Sequence, residues 1–280
     1  MKLAAITADG VALALRRFPA RGPRRAVLLC THAMMANGGY FCRGFAQHLA
    51  ARGVDIYVLD WRGHGASRPP SPRRDSWCFD DYVELDLPAA VAAVAADAGV
   101  ATGELAYLGH SLGGLVGLAG FATGTAPRPR ALALWATSVW LPGRHGPWQR
   151  RALMAAYDRA SRPLGYAPIR ALRIGTDDEP RGYVEQLTGW ARTGRWTSRI
   201  GTDYMAALGA LDVPCWAVNG DGDRLSRARD AQVILDALPR ARPLRRAGLR
   251  RGDALDPDHF TLFTRPALAP LWDELADFLV

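Results

Sequence analysis

One short segment of the chain carries a pattern typical of a nucleophilic serine. The apolar, strand-like run 104–108 leads into Gly-His-Ser-Leu-Gly at 109–113, and a helix rich in small residues is expected to follow. The glycines at both ends of this pattern leave room for a sharp turn that lifts the serine hydroxyl clear of a sheet. Because a serine hydroxyl is barely ionised at neutral pH, it needs a base and a third group that orients the base. The pattern therefore predicts that Ser111 is a nucleophile.

The partners of this serine are expected in two later segments. The apolar run 213–219 indicates a buried strand, and acidic residues follow it in the loop 220–224. His259 precedes a final amphipathic helix, predicted from about Pro266 to Phe278. A loop histidine at that place is a natural base, and either aspartate of the earlier loop, at 221 or 223, could orient it. The chain order is therefore nucleophile, acid, base.

This order resembles that of the α/β-hydrolase superfamily. Two further segments carry the resemblance: the run 26–34, where the family has a strand followed by a histidine and an oxyanion-hole residue, and Asp-Trp-Arg-Gly-His-Gly-Ala-Ser at 60–67, similar to the family's D-x-R-G-H-G-x-S turn. The chain resembles the cap-bearing branch, which includes esterases and monoacylglycerol-lipase-like enzymes, over nearly its full length. The family's spacing from Gly220 favours Asp223 as the acid, with Asp221 as a turn former.

The resemblance also implies an oxyanion hole. It assigns this role to the backbone amides of Met34 and Leu112, which would hold the negative oxygen of a tetrahedral intermediate. Ala33 stands where the family commonly has glycine, so the backbone has less freedom to turn the Met34 amide toward that oxygen.

Side chains around these residues are expected to shape the substrate pocket. Met35 and His110 are candidates because they adjoin the predicted site, and Trp140 and Trp190 are candidates because they lie in an aromatic-rich segment. Such aromatic residues could equally form the small core of that segment. No pair of histidines shows metal-ligand spacing, so neither a metal nor another cofactor is expected.

The alternation of apolar strand-like runs with helical patterns predicts an α/β fold, with a mostly parallel central sheet flanked by helices. The segment from about residue 140 to 202 interrupts this alternation after a strand at 131–136, where the superfamily inserts a helical cap. We therefore expect an N-terminal core part at 1–139, a cap at 140–202 and a C-terminal core part at 203–280. The predicted strands are Val11–Arg16, Ala26–Cys30, Asp55–Leu59, Glu104–Leu108, Ala131–Ala136, Pro214–Val218 and Pro243–Arg246, and the predicted helices are Tyr40–Arg52, Phe79–Ala96, Leu112–Ala122, Ala228–Leu238 and the terminal one.

Composition narrows the setting in which the protein works. The formal net charge of +8 comes almost wholly from arginine, since Lys2 is the sole lysine, and the arginines are dispersed without a nucleic-acid motif. A solvated basic surface is expected, with peripheral contact to an anionic membrane left open. The four scattered cysteines favour reduced thiols in a cytoplasmic protein. A monomer or homodimer is expected. The opening residues suggest a hairpin without a signal-peptide core, and no apolar run reaches transmembrane length.

The expected function is hydrolysis of small-molecule carboxylic esters with an apolar acyl group through an acyl-serine intermediate. A thioesterase, an acyltransferase, a carbon–carbon bond hydrolase or a cofactor-free haloperoxidase would use the same residues. A ligand receptor that kept the fold without turnover is the alternative from a different class. Dehalogenases and epoxide hydrolases are disfavoured, because those relatives need a carboxylate where this chain has Ser111.

Overall fold

A sheet of eight strands forms the centre of the computed structural model, which describes residues 1–141, 148–248 and 256–280. Its strand order is β1-β2-β4-β3-β5-β6-β9-β10. β1 and β2 pair antiparallel at one edge, β2 pairs antiparallel with β4, and the remaining pairs are parallel. In chain order the strands are β1 (Lys2–Ile6), β2 (Ala12–Phe18), β3 (Ala26–Thr31), β4 (Val54–Leu59), β5 (Ala106–His110), β6 (Ala131–Trp135), β7 (Tyr166–Ala167), β8 (Glu179–Pro180), β9 (Cys215–Gly220) and β10 (Arg245–Ala247).

Helices cover both faces of this sheet, which explains why its central strands are continuous apolar runs. Neighbouring residues of one strand, such as Leu28 and Leu29, belong to separate apolar clusters on opposite faces. The predicted α/β fold, with a mostly parallel central sheet flanked by helices, is confirmed. The helices are α1 (Phe45–Ala51), α2 (Phe79–Asp81), α3 (Leu87–Ala98), α4 (Leu112–Thr123), α5 (Trp148–Ser161), α6 (Arg181–Thr193), α7 (Tyr204–Ala207), α8 (Ala228–Leu235), α9 (Thr261–Thr264) and α10 (Ala269–Phe278).

Three predicted helices begin later than expected or are interrupted. The helix expected over 40–52 begins only at α1, because Gly44 has a φ of 104° and ends the preceding short turn. The helix expected over 79–96 is divided, since a π-helical turn at Tyr82–Asp86 joins α2 to α3. The terminal helix starts at α10, after a 3₁₀ turn at Pro266–Leu268. Within the described ranges, no helix is long and apolar enough to cross a membrane.

The chain leaves the sheet after β6 and returns to it at β9. We call residues 148–207 the inserted segment; it contains α5, the antiparallel pair β7 and β8, α6 and α7. Its buried aromatic residues Tyr183, Trp190 and Trp196 belong to the same apolar cluster as α3 and α4 of the core. The segment is therefore packed onto the core. The boundaries expected at 140 and 202 stay predictions, and residues 142–147 lie outside the described part.

Two glycines of α6 test how closely the inserted segment packs. A Cβ atom at Gly182 would lie 2.6 Å from the Trp77 carbonyl oxygen, whereas one at Gly189 would meet nothing within 4 Å. We expect Gly182→Ala to lower the free energy of unfolding by about 1–3 kcal/mol through overpacking. Gly189→Ala should raise it by about 0.5–1 kcal/mol, because alanine loses less backbone entropy in a helix. Urea unfolding midpoints measure both, and a shift of the same sign for the two variants would contradict this packing.

Candidate active site

Ser111 occupies a sharp turn between β5 and α4. Its backbone has a φ of 53° and a ψ of −111°, a conformation that costs a non-glycine residue about 1–3 kcal/mol. Two hydrogen bonds hold this turn: the Ser111 amide donates to the Trp135 carbonyl at 3.0 Å, and the Leu115 amide donates to the Ser111 carbonyl at 3.1 Å. The serine is partly exposed, while the strand before it and the helix after it are buried.

Glycines permit the close approach that this turn requires. A Cβ atom at Gly109 would lie 2.3 Å from the Gly114 Cα atom. Any side chain at position 109 would therefore prevent the end of β5 from approaching the start of α4. A Cβ atom at Gly113 would lie 2.4 Å from the Thr31 hydroxyl oxygen of the neighbouring strand. The glycines of the sequence motif therefore have the spatial function that the sequence suggested.

The carboxylate of Asp223 is buried and directed at His259. One of its oxygens accepts hydrogen bonds from the Leu225 and Ser226 amides, both at 2.8 Å. The other lies 2.7 Å from Nδ1 of His259. Asp223 is 5% exposed and His259 7% exposed, so the pair is shielded from water. The Asp223 carboxylate thus fixes the orientation of the imidazole.

The loops that carry this pair touch each other through backbone atoms. The Gly222 amide donates to the Pro257 carbonyl at 3.2 Å. A Cβ atom at Gly220 would lie 2.0 Å from the same carbonyl oxygen, and one at Gly222 would lie 2.4 Å from the Asp256 carbonyl oxygen. Since side chains at these two positions would separate the loops, the glycines bring residue 223 within reach of residue 259.

Asp221 has a different environment from Asp223. Its carboxylate accepts hydrogen bonds from the Arg246 guanidinium, at 2.9 Å from Nε and 2.6 Å from Nη2. Of the two aspartates that the sequence left open, Asp223 is the one in contact with His259.

Ser111 and His259 share no hydrogen bond within the parts of the chain that the structure describes. His110, which directly precedes the serine, does contact His259, and their ring centroids are 4.6 Å apart. The Asp223–His259 pair therefore lies beside His110, the last residue of β5 and the neighbour of Ser111 in the chain.

The two amides expected to form an oxyanion hole donate no hydrogen bond to any described residue. The Leu112 amide is free because it opens α4, where amides lack intrahelical partners. The Met34 amide lies between two anchored neighbours. The Ala33 amide donates to the Tyr40 hydroxyl at 3.0 Å, and the Met35 amide donates to the carboxylate of Glu179.

His110 is fully buried and is bonded to the core. Because the Tyr40 hydroxyl accepts from Ala33, its own proton is available to Nδ1 of His110, 2.6 Å away. Burial, reinforced by the nearby His259, holds the pKa of His110 well below its usual value. His110 is thus a neutral packing partner of His259, a contact that sequence spacing did not predict.

Two other histidines support the loops of the site. His32 accepts from the Trp61 amide at Nε2, at 3.0 Å, so its Nδ1 proton is directed at the Ala33 carbonyl, 2.7 Å away. Burial, together with His64, lowers the pKa of His32 to about 4. His64 bonds the Arg62 carbonyl at 2.9 Å and also approaches Glu179 at 3.4 Å. Although burial disfavours the charged form, the Glu179 carboxylate raises the pKa of His64.

The expected pocket residues fall into different environments. Trp190 is 3% exposed, packs edge-on against Phe79 at 4.9 Å and donates to the Thr197 carbonyl at 2.7 Å. These contacts favour the alternative that the sequence left open, a place in the packed core of the segment, and a pocket role of Trp190 stays a prediction. Trp140 donates to the Leu225 carbonyl at 2.8 Å, beside the loop of Asp223. Met35 packs against a small apolar cluster of the inserted segment.

Comparison with known proteins identifies the family of the chain. Residues 22–245 match the family described as "Serine aminopeptidase, S33". A pimeloyl-[acyl-carrier protein] methyl ester esterase of Xanthomonas oryzae is 30% identical over 79% of this chain and 86% of its own length. Triacylglycerol lipase 2 of Arabidopsis thaliana is 30% identical over 49% of this chain. The chain spans about a third of the lipases it matches, 34% of a Mesocricetus auratus tear acid lipase-like protein and 37% of the Arabidopsis lipase.

Solved structures agree at the level of the fold. An esterase from Exiguobacterium antarcticum superimposes with a TM-score of 0.69 at 14% identity, covering 100% of this chain and 99% of that one. The family match agrees with the glycine-framed turn of Ser111. The chain belongs to the S33 serine aminopeptidase family of α/β hydrolases.

Proposed function

We propose that this protein is a serine hydrolase that cleaves carboxylic esters with an apolar acyl group through an acyl-serine intermediate. The proposal rests on the buried hydrogen bond between the Asp223 carboxylate and Nδ1 of His259. This pair lies at the end of the sheet where Ser111 occupies a strained turn. A base oriented by a carboxylate is what a serine nucleophile requires. Relatives that are named as a methyl ester esterase and as lipases support ester substrates.

Each residue has a distinct role in this mechanism. Ser111 attacks the acyl carbonyl while His259 accepts its proton and then donates it to the leaving alcohol. His259 next removes a proton from water, which attacks the acyl-serine and releases the acid. Asp223 stabilises the imidazolium and its tautomer. Serine and base are often farther apart without substrate and approach in the Michaelis complex, which fits the missing Ser111–His259 hydrogen bond.

The oxyanion of the tetrahedral intermediate is assigned to the amides of Met34 and Leu112. Both amides are free to donate to a substrate, whereas the amides of Ala33 and Met35 are already engaged. Each donor of this kind typically contributes about 10²–10³ in rate.

An apolar acyl group is supported by the surroundings of the oxyanion loop. The side chains of Met34 and Leu141 pack against the apolar cluster that contains Leu112 and Val139. The Tyr183 hydroxyl of the inserted segment approaches the Met34 sulfur at 3.7 Å. We assign the inserted segment the role of a cap that covers this apolar surface, with Met35 on its wall.

The setting of the protein is part of the proposal. All four cysteines are free, which fits the cytoplasm. Part of the positive charge is neutralised locally, since Arg150 pairs with Asp230 and Arg246 with Asp221, and this disfavours a nucleic-acid partner. We propose a small-molecule ester as the substrate, a monomeric or homodimeric protein, and at most a peripheral contact with an anionic membrane.

The first prediction concerns the nucleophile. Wild type should hydrolyse p-nitrophenyl esters between acetate and palmitate, and Ser111→Ala should lower kcat by about a thousandfold or more, because the acyl-serine cannot form. Spectrophotometric release of p-nitrophenol measures both, and the chain-length optimum gives the depth of the acyl pocket. If the folded wild type hydrolyses acyl thioesters and no oxygen ester, the protein is a thioesterase and the proposed esterase function is wrong.

The second prediction separates the two aspartates. Asp223→Asn should lower kcat by about 10⁴-fold, because an amide no longer holds the imidazole in the productive tautomer. Asp221→Asn is the matched control, since it removes a carboxylate that pairs with Arg246, and it should keep kcat within about twofold. If the two variants lose the same factor in kcat, the specific role of Asp223 as the residue that orients His259 is wrong. Urea unfolding midpoints show that both variants are folded.

A further inference from the structure

Met35 has a strained backbone that the inserted segment holds in place. Its φ of 60° lies in the left-handed region, which is unfavourable for a methionine. Its amide donates to Glu179 Oε1, and its carbonyl accepts from the amides of Thr176, at 2.8 Å, and Asp177, at 3.3 Å. Both polar backbone groups of Met35 therefore bond to residues 176–179.

These residues are themselves fixed to the core by other contacts. Asp177 is 2% exposed and accepts from the Gly65 amide at 3.0 Å, the Arg68 guanidinium at 2.6 Å and the Asn37 amide group at 2.7 Å. Glu179 is completely buried and contacts His64 at 3.4 Å. Oε1 of Glu179 thus contacts both the Met35 amide and His64, while its Oε2 has no hydrogen-bond partner among the described residues.

The Met34 amide lies between two such anchored positions. On one side the Tyr40 hydroxyl holds the Ala33 amide from the core, and on the other side Glu179 holds the Met35 amide from the inserted segment. The Met34 amide shares its planar peptide with the Ala33 carbonyl, which lies 2.7 Å from Nδ1 of His32. Fixing the Met35 amide holds the next peptide, which contains the Met34 carbonyl, and so limits rotation about the backbone angles of Met34. The free Met34 amide is therefore held in one orientation from both ends.

We propose that Glu179 is a positioning residue of the oxyanion hole, which orients the Met34 amide by accepting the hydrogen bond of Met35. The inference rests on the proposed hydrolase function and adds to it a residue from the inserted segment. The segment then completes the catalytic geometry besides covering the substrate. The carboxylate acts through the backbone and needs no contact with the substrate.

The proposal predicts an effect on the transition state and not on substrate binding. Glu179→Ala removes the acceptor and frees Met35 to relax, so the Met34 amide should lose its orientation. We expect kcat for the best p-nitrophenyl ester to fall at least about tenfold, below the 10²–10³ expected for losing the donor itself, with KM within about threefold. Glu179→Gln keeps an oxygen that accepts from Met35 and should keep kcat within about threefold of wild type.

Asp178→Ala provides the matched control. Asp178 adjoins Glu179, is 4% exposed, and anchors the same stretch through the Arg73 guanidinium at 3.2 Å and the Arg170 amide at 2.9 Å, without contacting the oxyanion loop. Its loss should lower the urea unfolding midpoint while kcat of the folded protein stays within about twofold. If Glu179→Ala and Asp178→Ala lower kcat equally, Glu179 only stabilises the segment and the proposal fails.

Labelling by a fluorophosphonate probe reports the same geometry without an ester substrate. Phosphonylation of Ser111 also develops charge on an oxygen in the oxyanion hole, so the rate constant of labelling should fall in Glu179→Ala by about the same factor as kcat.

If the wild type is labelled by the probe but hydrolyses no ester, the substrate assignment is wrong, and the labelling rates then still decide the role of Glu179. Unchanged labelling in Glu179→Ala, a change confined to KM, or a Glu179→Gln variant as slow as Glu179→Ala would overturn the proposal. A folded wild type that neither labels nor hydrolyses would overturn both proposals.

Discussion

The site depends on one steric constraint, the close approach of β5, α4 and β3 around Ser111. The serine can keep its strained φ of 53° only because Gly109 and Gly113 let the helix start touch the strand ends, where any Cβ atom would lie within 2.4 Å of another atom. Packing of the sheet and helix around the turn offsets the free energy of this strained conformation. The same parallel sheet places the loops after β5 and β9 at one end, so its topology decides which side chains can approach Ser111.

A second constraint arises from the inserted segment. Residues 177–179 carry consecutive buried carboxylates, and two of them bond to core loops, Asp177 to the Gly65 amide and Glu179 to the Met35 amide. Burying such groups is unfavourable unless hydrogen bonds compensate for lost hydration. Asp177 meets this requirement with backbone and side-chain donors, and they hold its pKa below the usual value against the effect of burial. A segment docked in this way is bonded directly to the loop of Met34 and Met35, which is the basis for assigning it a role in the proposed oxyanion hole.

The sequence predicted the central strands correctly, because a strand buried on both faces is a continuous apolar run in the chain. The strands β3, β4, β5, β6 and β9 are apolar runs because helices cover both sheet faces, and such runs are visible without any knowledge of the fold. The sequence did not reveal the π-helical turn at Tyr82–Asp86, nor the interior position of Trp190, whose aromatic ring fits a pocket wall and a packed core equally well. Side-chain type alone does not distinguish these two environments, since both are apolar.

The fold class and the turn of Ser111 could be predicted from the sequence, because apolar strand-like runs and the Gly-x-Ser-x-Gly pattern each involve residues close together in the chain. The roles of Ser111, Asp223 and His259 as nucleophile, acid and base came from the family resemblance and stay a proposal. The family resemblance already favoured Asp223 over Asp221, and the structure shows that Asp223 contacts His259. The packing of His110 against that histidine and the hydrogen bond from the Met35 amide to Glu179 were visible only in the tertiary structure. These contacts join residues separated by 36, 149 and 144 positions in two bonds and one ring contact. No local periodicity encodes such pairs, since they form only when the sheet and the inserted segment are packed together.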